Sequence, residues 1–147
     1  YLSLCGENVD KMELSVLLQM TFPGMPCVFY GDEKGLCGVS EREYRQAMAW
    51  GKHHPLEDVY RRLIALRKAH PALRYGDFVT NFAAGKTYSY SRNWETTRIT
   101  VTMNLGGAPI PAPQRGRLLL KKGGNHAIIG AWEYEVREER IHGGDDL

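Results

Sequence analysis

The chain has 147 residues, 43% hydrophobic and 24% charged, an ordinary globular composition with room for one domain or two small ones. A formal net charge of +2 with scattered Lys and Arg argues against nucleic acid as a partner, and no run approaches the ~18 apolar residues of a membrane span. The odd set Cys5, Cys27 and Cys37 has no CxxC pair, which favours a reducing, cytoplasmic setting over a disulfide framework.

The first predicted helix starts at Asn8, an N-cap residue, and places Asp10 in its first turn, where a carboxylate meets the helix dipole. It runs through "VDKMELSVLLQMTF", with Val9, Met12 and Val16 on one face and Leu14, Leu17, Leu18 and Met20 extending the apolar surface almost all round. Such a helix is expected to be buried on most sides. Pro23 and Gly24 stop it, and "PCVFY" follows as a short apolar run between breakers, the pattern of a strand buried on both faces. "GDEKGLCGVSERE" reads as a glycine-punctuated loop and "EREYRQAMAW" as a short helix. Pro55 suits a first helical position; Leu56, Val59, Tyr60, Leu63, Ile64 and Leu66 then recur at helical steps until Pro71.

The pattern changes after Leu73. "KTYSYSRN" alternates with Tyr88 and Tyr90 on one face, and "RITVTMNL" with Ile99, Val101, Met103 and Leu105. "RGRLLLKKGGNHAIIGAWEYEV" reads as strand, glycine turn, strand, strand, so an antiparallel β-sandwich is expected over residues 73–137. Residues 138–147 read as a flexible, charged tail. Helix and buried strand alternating over residues 1–72 is the grammar of an α/β barrel or doubly wound sheet, with too few units to close either.

Asp32 and Glu33 invite a catalytic reading. Paired carboxylates in glycosidases flank the scissile bond at about 5–9.5 Å, but neighbours in extended backbone point to opposite faces. A supporting role for the loop fits better. His53 and His54 lack the spacing of a metal pair and precede Pro55, which suits entry into a helix. Glu41 and Arg45 sit four apart and share a face if helical, either as a surface ion pair or as a clamp on a hydroxyl-rich substrate. Tyr88, Tyr90, Trp94, Trp132 and Tyr134 could form a sugar-stacking surface or sheet core. No phosphate loop, dinucleotide fingerprint or nucleophile elbow is present, and no cofactor or metal is implied.

"LCGENVDKMELSVLLQMTFPGMPCVFYGDEKGLCG", then "REYRQAMAW" and "LIALRKAHPALRYGDF", resembles the α-amylase family of glycoside hydrolases, family 13, and within it the neopullulanase, cyclomaltodextrinase and maltogenic amylase group. The resemblance is strong over residues 1–78. It implies that residues 1–72 are the end of a catalytic (β/α)8 barrel, namely its seventh helix, eighth strand and eighth helix, followed by the C-terminal β-sandwich. It implies retaining cleavage or transfer at α-1,4-glucosidic bonds of maltooligosaccharides, cyclodextrins or pullulan. The Asp, Glu and Asp of that mechanism lie on earlier strands, so the isolated chain is expected to be inactive. Glu41 and Arg45 align with an Asp and Arg that contact sugar in the family; the acid here is one methylene longer. Tyr30, Gly31, Asp32 and Glu33 match the family's loop beneath the site. The expected partners are an α-glucan and either the missing part of the barrel or a second copy, through apolar surface in residues 9–30. The alternative from another class is a non-catalytic β module for domain packing or sugar binding.

Overall fold

A computed structural model describes residues 1–141. Two compact units are present: one from Tyr1–Met20 and Met25–Ala69, the other from Thr21–Gly24 and His70 onward.

In the first unit, α1 (Val9–Thr21) starts where the sequence places it. The Asn8 Oδ1 accepts the Lys11 N–H at 3.0 Å, satisfying one of the donors that a helix start leaves open. Met12, Leu14, Val16, Leu17 and Met20 are all buried, as an all-round apolar helix requires. α2 is a single turn, Glu41–Tyr44, with no buried residue. The longer helix expected over "EREYRQAMAW" does not propagate, because nucleation is costly and no packed face repays it. α3 (Pro55–Ala69) buries Leu56, Val59, Tyr60, Leu63 and Leu66, and each such side chain contributes about 1.5–3 kcal/mol by leaving water. α1 and α3 are joined by polar links. The Arg67 guanidinium donates to the Met20 carbonyl at 2.8 Å, and Arg62 reaches Glu13 at 3.4 Å.

The strand expected at "PCVFY" is not formed. Residues 25–29 have no regular secondary structure and pair with nothing in a sheet among the described residues. A strand is defined by the ladder to its neighbours, and the described residues supply no neighbour for this one. Met25 is 95% exposed, and Val28, Phe29 and Tyr30 are also open. The apolar exposure expected across residues 9–30 is therefore concentrated after the helix, which is itself covered.

In the second unit, α4 (Pro71–Tyr75) precedes β1 (Val79–Ala84), β2 (Thr87–Trp94), β3 (Thr97–Asn104), β4 (Ile110–Pro111), β5 (Arg117–Lys122), β6 (Ile128–Ile129) and β7 (Tyr134–Arg140). Five strands form one antiparallel sheet in the order β1-β2-β3-β7-β5, and β4 with β6 forms a two-stranded ribbon. The run read as strand, strand after the glycine turn is thus split between the two. The register sets Tyr90 opposite Val101 and Val101 opposite Val136. With Ile99, Met103 and Tyr134 they form the buried apolar face that the alternation predicts. β7 runs on to Arg140, past the expected start of the tail, and residues 142–147 of that tail lie outside the described residues.

Arg92 occupies the next inward position after Tyr88 and Tyr90, and it is 1% exposed. Its guanidinium donates to the carbonyls of Thr21 at 2.8 Å, Leu73 at 3.0 Å, Gly76 at 2.8 Å and Asp77 at 2.9 Å. Beside it Phe22, Phe78 and Tyr90 stack at centroid distances of 4.7–5.4 Å, and the Tyr90 hydroxyl meets Thr21 Oγ1 at 2.5 Å. Burial pushes the Tyr90 phenol well above its ordinary pKa.

Candidate functional site

The loop after Tyr30 is a tight, self-bonded turn. Asp32 N–H donates to the Phe29 carbonyl at 3.1 Å, and both Lys34 and Leu36 N–H donate to the Gly31 carbonyl at 3.0 Å. Gly31 has φ +80, and a Cβ there would land on the Leu36 side chain. Both conditions require glycine. The Lys34 ammonium then pins the loop to the start of α3, bonding Glu57 Oε1 at 2.8 Å and the Lys52 carbonyl at 3.0 Å. Glu57 also accepts the His54 N–H at 2.9 Å, and the Lys34 bond followed by this one lowers its carboxyl pKa. His54 packs its ring where a Cβ on Gly35 would fall, while His53 pairs with Asp58 at 3.0 Å. Both histidines serve the helix entry, and among the described residues no group of three or more His, Cys, Asp or Glu is placed to hold a metal.

Asp32 and Glu33 line different depressions, and since both lie in a turn and not in a strand, it is the turn and not strand alternation that separates them. Asp32 is 3% exposed and lines an aromatic cleft of ≈ 550 Å³ with Phe29, Tyr30, Leu36 and Tyr44. Glu33 lies in a separate depression with Val28, Tyr60, Arg61 and Ile64. Asp32 Oδ2 is buried and makes no hydrogen bond among the described residues, and burial raises this carboxyl above its ordinary pKa of 3.8. The sign of the consequence follows. Below pH 3.8 the carboxyl is protonated folded or unfolded; as pH rises through the higher folded-state pKa, the folded chain must hold an ionised buried oxygen, and stability is lost. Asp32→Asn is therefore expected to unfold at higher urea than the parent at pH 7, by about 1 kcal/mol, and to show no gain at pH 3. Equal or lower stability at pH 7 would contradict this.

The Arg45 guanidinium and Glu41 carboxylate meet at 2.7 Å on the outer face of α2, both largely in solvent. They do not line the cleft; Tyr44, between them, does. Glu43 accepts the Val39 and Ser40 N–H groups at 2.7 and 3.1 Å, which holds its carboxyl below the usual range and fixes the turn. Tyr30 donates its hydroxyl to the Gln46 carbonyl at 3.2 Å. Sequence reasoning missed Phe29, Leu36 and Tyr44 as cleft residues. For Leu36 and Tyr44 the only signal was an apolar or aromatic side chain in an otherwise polar stretch, and Phe29 was read as part of a buried strand.

The aromatic residues weighed as a stacking surface do not share one. Tyr90 and Tyr134 are core residues, Trp94 packs on Tyr75 at 5.6 Å, and Trp132 lies over Gly106. The three cysteines are free, and no helix of the described residues is long and apolar enough to cross a membrane.

No protein-family model matches the chain. It is 37% identical over 128 residues to a cyclomaltodextrinase of Geobacillus thermopakistaniensis, covering 81% of this chain and 22% of that protein. It is 32% identical over 107 residues to a cyclomaltodextrinase of Thermoanaerobacter pseudethanolicus, covering 71% of this chain and 19% of that one. Its fold superposes on a debranching enzyme from Nostoc punctiforme with a TM-score of 0.82 and 27% identity, over 93% of this chain and 32% of that chain. The chain belongs to the α-amylase family of glycoside hydrolases. It spans about a fifth of the length of the curated relatives it matches.

Proposed function

We propose that the chain is the C-terminal part of an enzyme that hydrolyses or transfers α-1,4-glucosidic bonds of maltooligosaccharides, cyclodextrins or pullulan with retention of configuration. Alignment with a cyclomaltodextrinase over 81% of the chain is the observation that carries this reading. Residues 1–72 would complete a (β/α)8 barrel, with "PCVFY" as its eighth strand, and residues 73–137 would form the C-terminal β-sandwich. The unpaired backbone of residues 25–29 and the open side chains of Val28, Phe29 and Tyr30 support that placement, because a barrel strand needs a neighbour on each side.

In retaining glycosidases a carboxylate nucleophile and a carboxylic acid stand about 5–5.5 Å apart across the scissile bond. Those groups, and the second Asp of the family mechanism, belong to barrel strands outside these residues. Within the loop of Tyr30, Gly31, Asp32 and Glu33, Tyr30 and Asp32 line the cleft, and Glu41 with Arg45, on the exposed turn of α2 outside it, forms a clamp on sugar hydroxyls. The geometry that supports the clamp is the pre-formed ion pair, which holds the Arg fork in place at the rim of the loop. The three free cysteines fit a reducing, cytoplasmic setting. The test uses the longer polypeptide that includes this chain. It should cleave β-cyclodextrin and maltotriose, with the α-anomer formed first by NMR, and Arg45→Ala should raise KM with kcat nearly unchanged. Release of the β-anomer first, or no action on either sugar, would overturn the reading.

A further inference from the structure

The outward face of the five-stranded sheet carries a polar pocket that the proposed reaction does not use. It encloses ≈ 220 Å³ between the sheet and the segment holding Pro113 and Arg115. That is below the roughly 300 Å³ at which drug-sized pockets begin, so it admits one small ring. The floor is a double row of hydroxyls crossing β2 and β3. Ser89 meets Thr102 at 2.9 Å, Ser91 meets Thr100 at 3.1 Å, and the Asn81 amide donates to Ser91 at 2.7 Å. Ser91, Thr102 and Glu135 are buried although they lie on the face opposite the apolar core. Glu135 is held by the Lys121 ammonium at 2.5 Å and by Arg137 Nε at 2.8 Å.

The lining selects by charge. The guanidiniums of Arg98, Arg115 and Arg137 stand beside the carboxylates of Glu135 and Glu139, while the Glu138 carboxylate turns to His70 and Arg117 on the other face of β7. With both signs present in the lining, a bound ion of either sign has like charges close by, a penalty that a neutral molecule does not meet. Hydroxyl groups both donate and accept, so rotating Ser and Thr protons suit a ligand that is itself rich in hydroxyls. Arg115 is nearly free in solvent at the rim, its one ion pair among the described residues being a long 3.8 Å contact with Glu139, so its fork is available to an incoming oxygen. We propose that this pocket is a binding site for a single neutral pyranose unit, held by the Ser91–Thr100 hydroxyl row and the Arg115 and Arg137 guanidiniums. The choice of glucose as the unit rests on the glucan-acting reading above; the pocket itself does not.

The test is an NMR titration of the 147-residue chain with glucose and with maltotriose at millimolar concentration. Saturable shifts centred on the amides of Ser91, Thr100 and Arg137 are expected from both sugars. Arg115→Ala, a solvent-exposed change that leaves the fold intact, should weaken binding by about tenfold. Thr100→Trp, which fills the pocket, should abolish it. Flat titrations, saturable shifts confined to the residues of the first unit, or shifts from inorganic phosphate in place of sugar would overturn the site. The glucan-acting reading has its own test in the cleavage of β-cyclodextrin, so the two can fail separately.

Discussion

Arg92→Met should lower the unfolding free energy of the chain by about 2–4 kcal/mol, the cost of leaving several converging carbonyls without their donor. Four carbonyls, those of Thr21, Leu73, Gly76 and Asp77, receive their bonds from this one guanidinium. The bonds to Thr21 and Leu73 are buried and those to Gly76 and Asp77 partly so, and each buried acceptor left without a donor costs about 1 kcal/mol or more. The methionine recovers part of this by removing a cation from a dry site and filling the volume with apolar atoms. Urea unfolding followed by circular dichroism measures the difference. Arg92→Lys should recover little, because one ammonium cannot span acceptors that a planar fork reaches on several sides. A loss below about 1 kcal/mol for Arg92→Met would mean that water satisfies these carbonyls as well as the guanidinium does.

Gly31→Ala should cost about 2–3 kcal/mol and loosen the loop that carries Tyr30 and Asp32. Two penalties add: about 1–2 kcal/mol for an L-residue at φ +80, and a further steric cost because its Cβ occupies the space of the Leu36 side chain. Gly24→Ala separates the two. Gly24 also has positive φ, +100, but open space around its missing Cβ, so only the backbone penalty applies. The expected order of midpoints in urea is parent, then Gly24→Ala, then Gly31→Ala. Equal losses at the two positions would show that Leu36 moves aside freely and that the Gly31 turn is not sterically fixed.

These two residues differ in how far the sequence exposes them. Gly31 stands between an aromatic strand-like run and two acids, in a stretch that its glycines mark as a loop. Arg92 carries no such mark. It follows Tyr88 and Tyr90 at period two, which places it on the core face. A charged residue there contradicts the pattern unless carbonyls converge on it, and those come from Thr21 and from residues 73–77, far away in sequence. The helices were legible because α1 and α3 carry enough apolar residues at helical spacing to bury a face whatever surrounds them. "PCVFY" has the composition of a strand, but pairing depends on neighbours, and these residues bring none. The polar pocket on the sheet escaped notice for a related reason. Ser and Thr at outward positions of an alternating strand read as a solvated face, and only the segment around Pro113 turns that face into an enclosure. In the candidate cleft, strand alternation was the wrong ground for separating Asp32 from Glu33, because both lie in a turn, and nothing in the sequence showed that one carboxyl oxygen of Asp32 would be buried without a donor among the described residues.

Reducing-sugar release by the purified 147-residue chain, incubated with maltotriose or β-cyclodextrin, bears most directly on the assignment of the catalytic carboxylates to other parts of the family fold. No release above a buffer blank is expected, because a retaining mechanism needs both a nucleophile and an acid at the scissile bond. Sustained turnover by the chain, abolished by Asp32→Asn, would contradict that assignment and place the catalytic carboxylate in the loop after Tyr30.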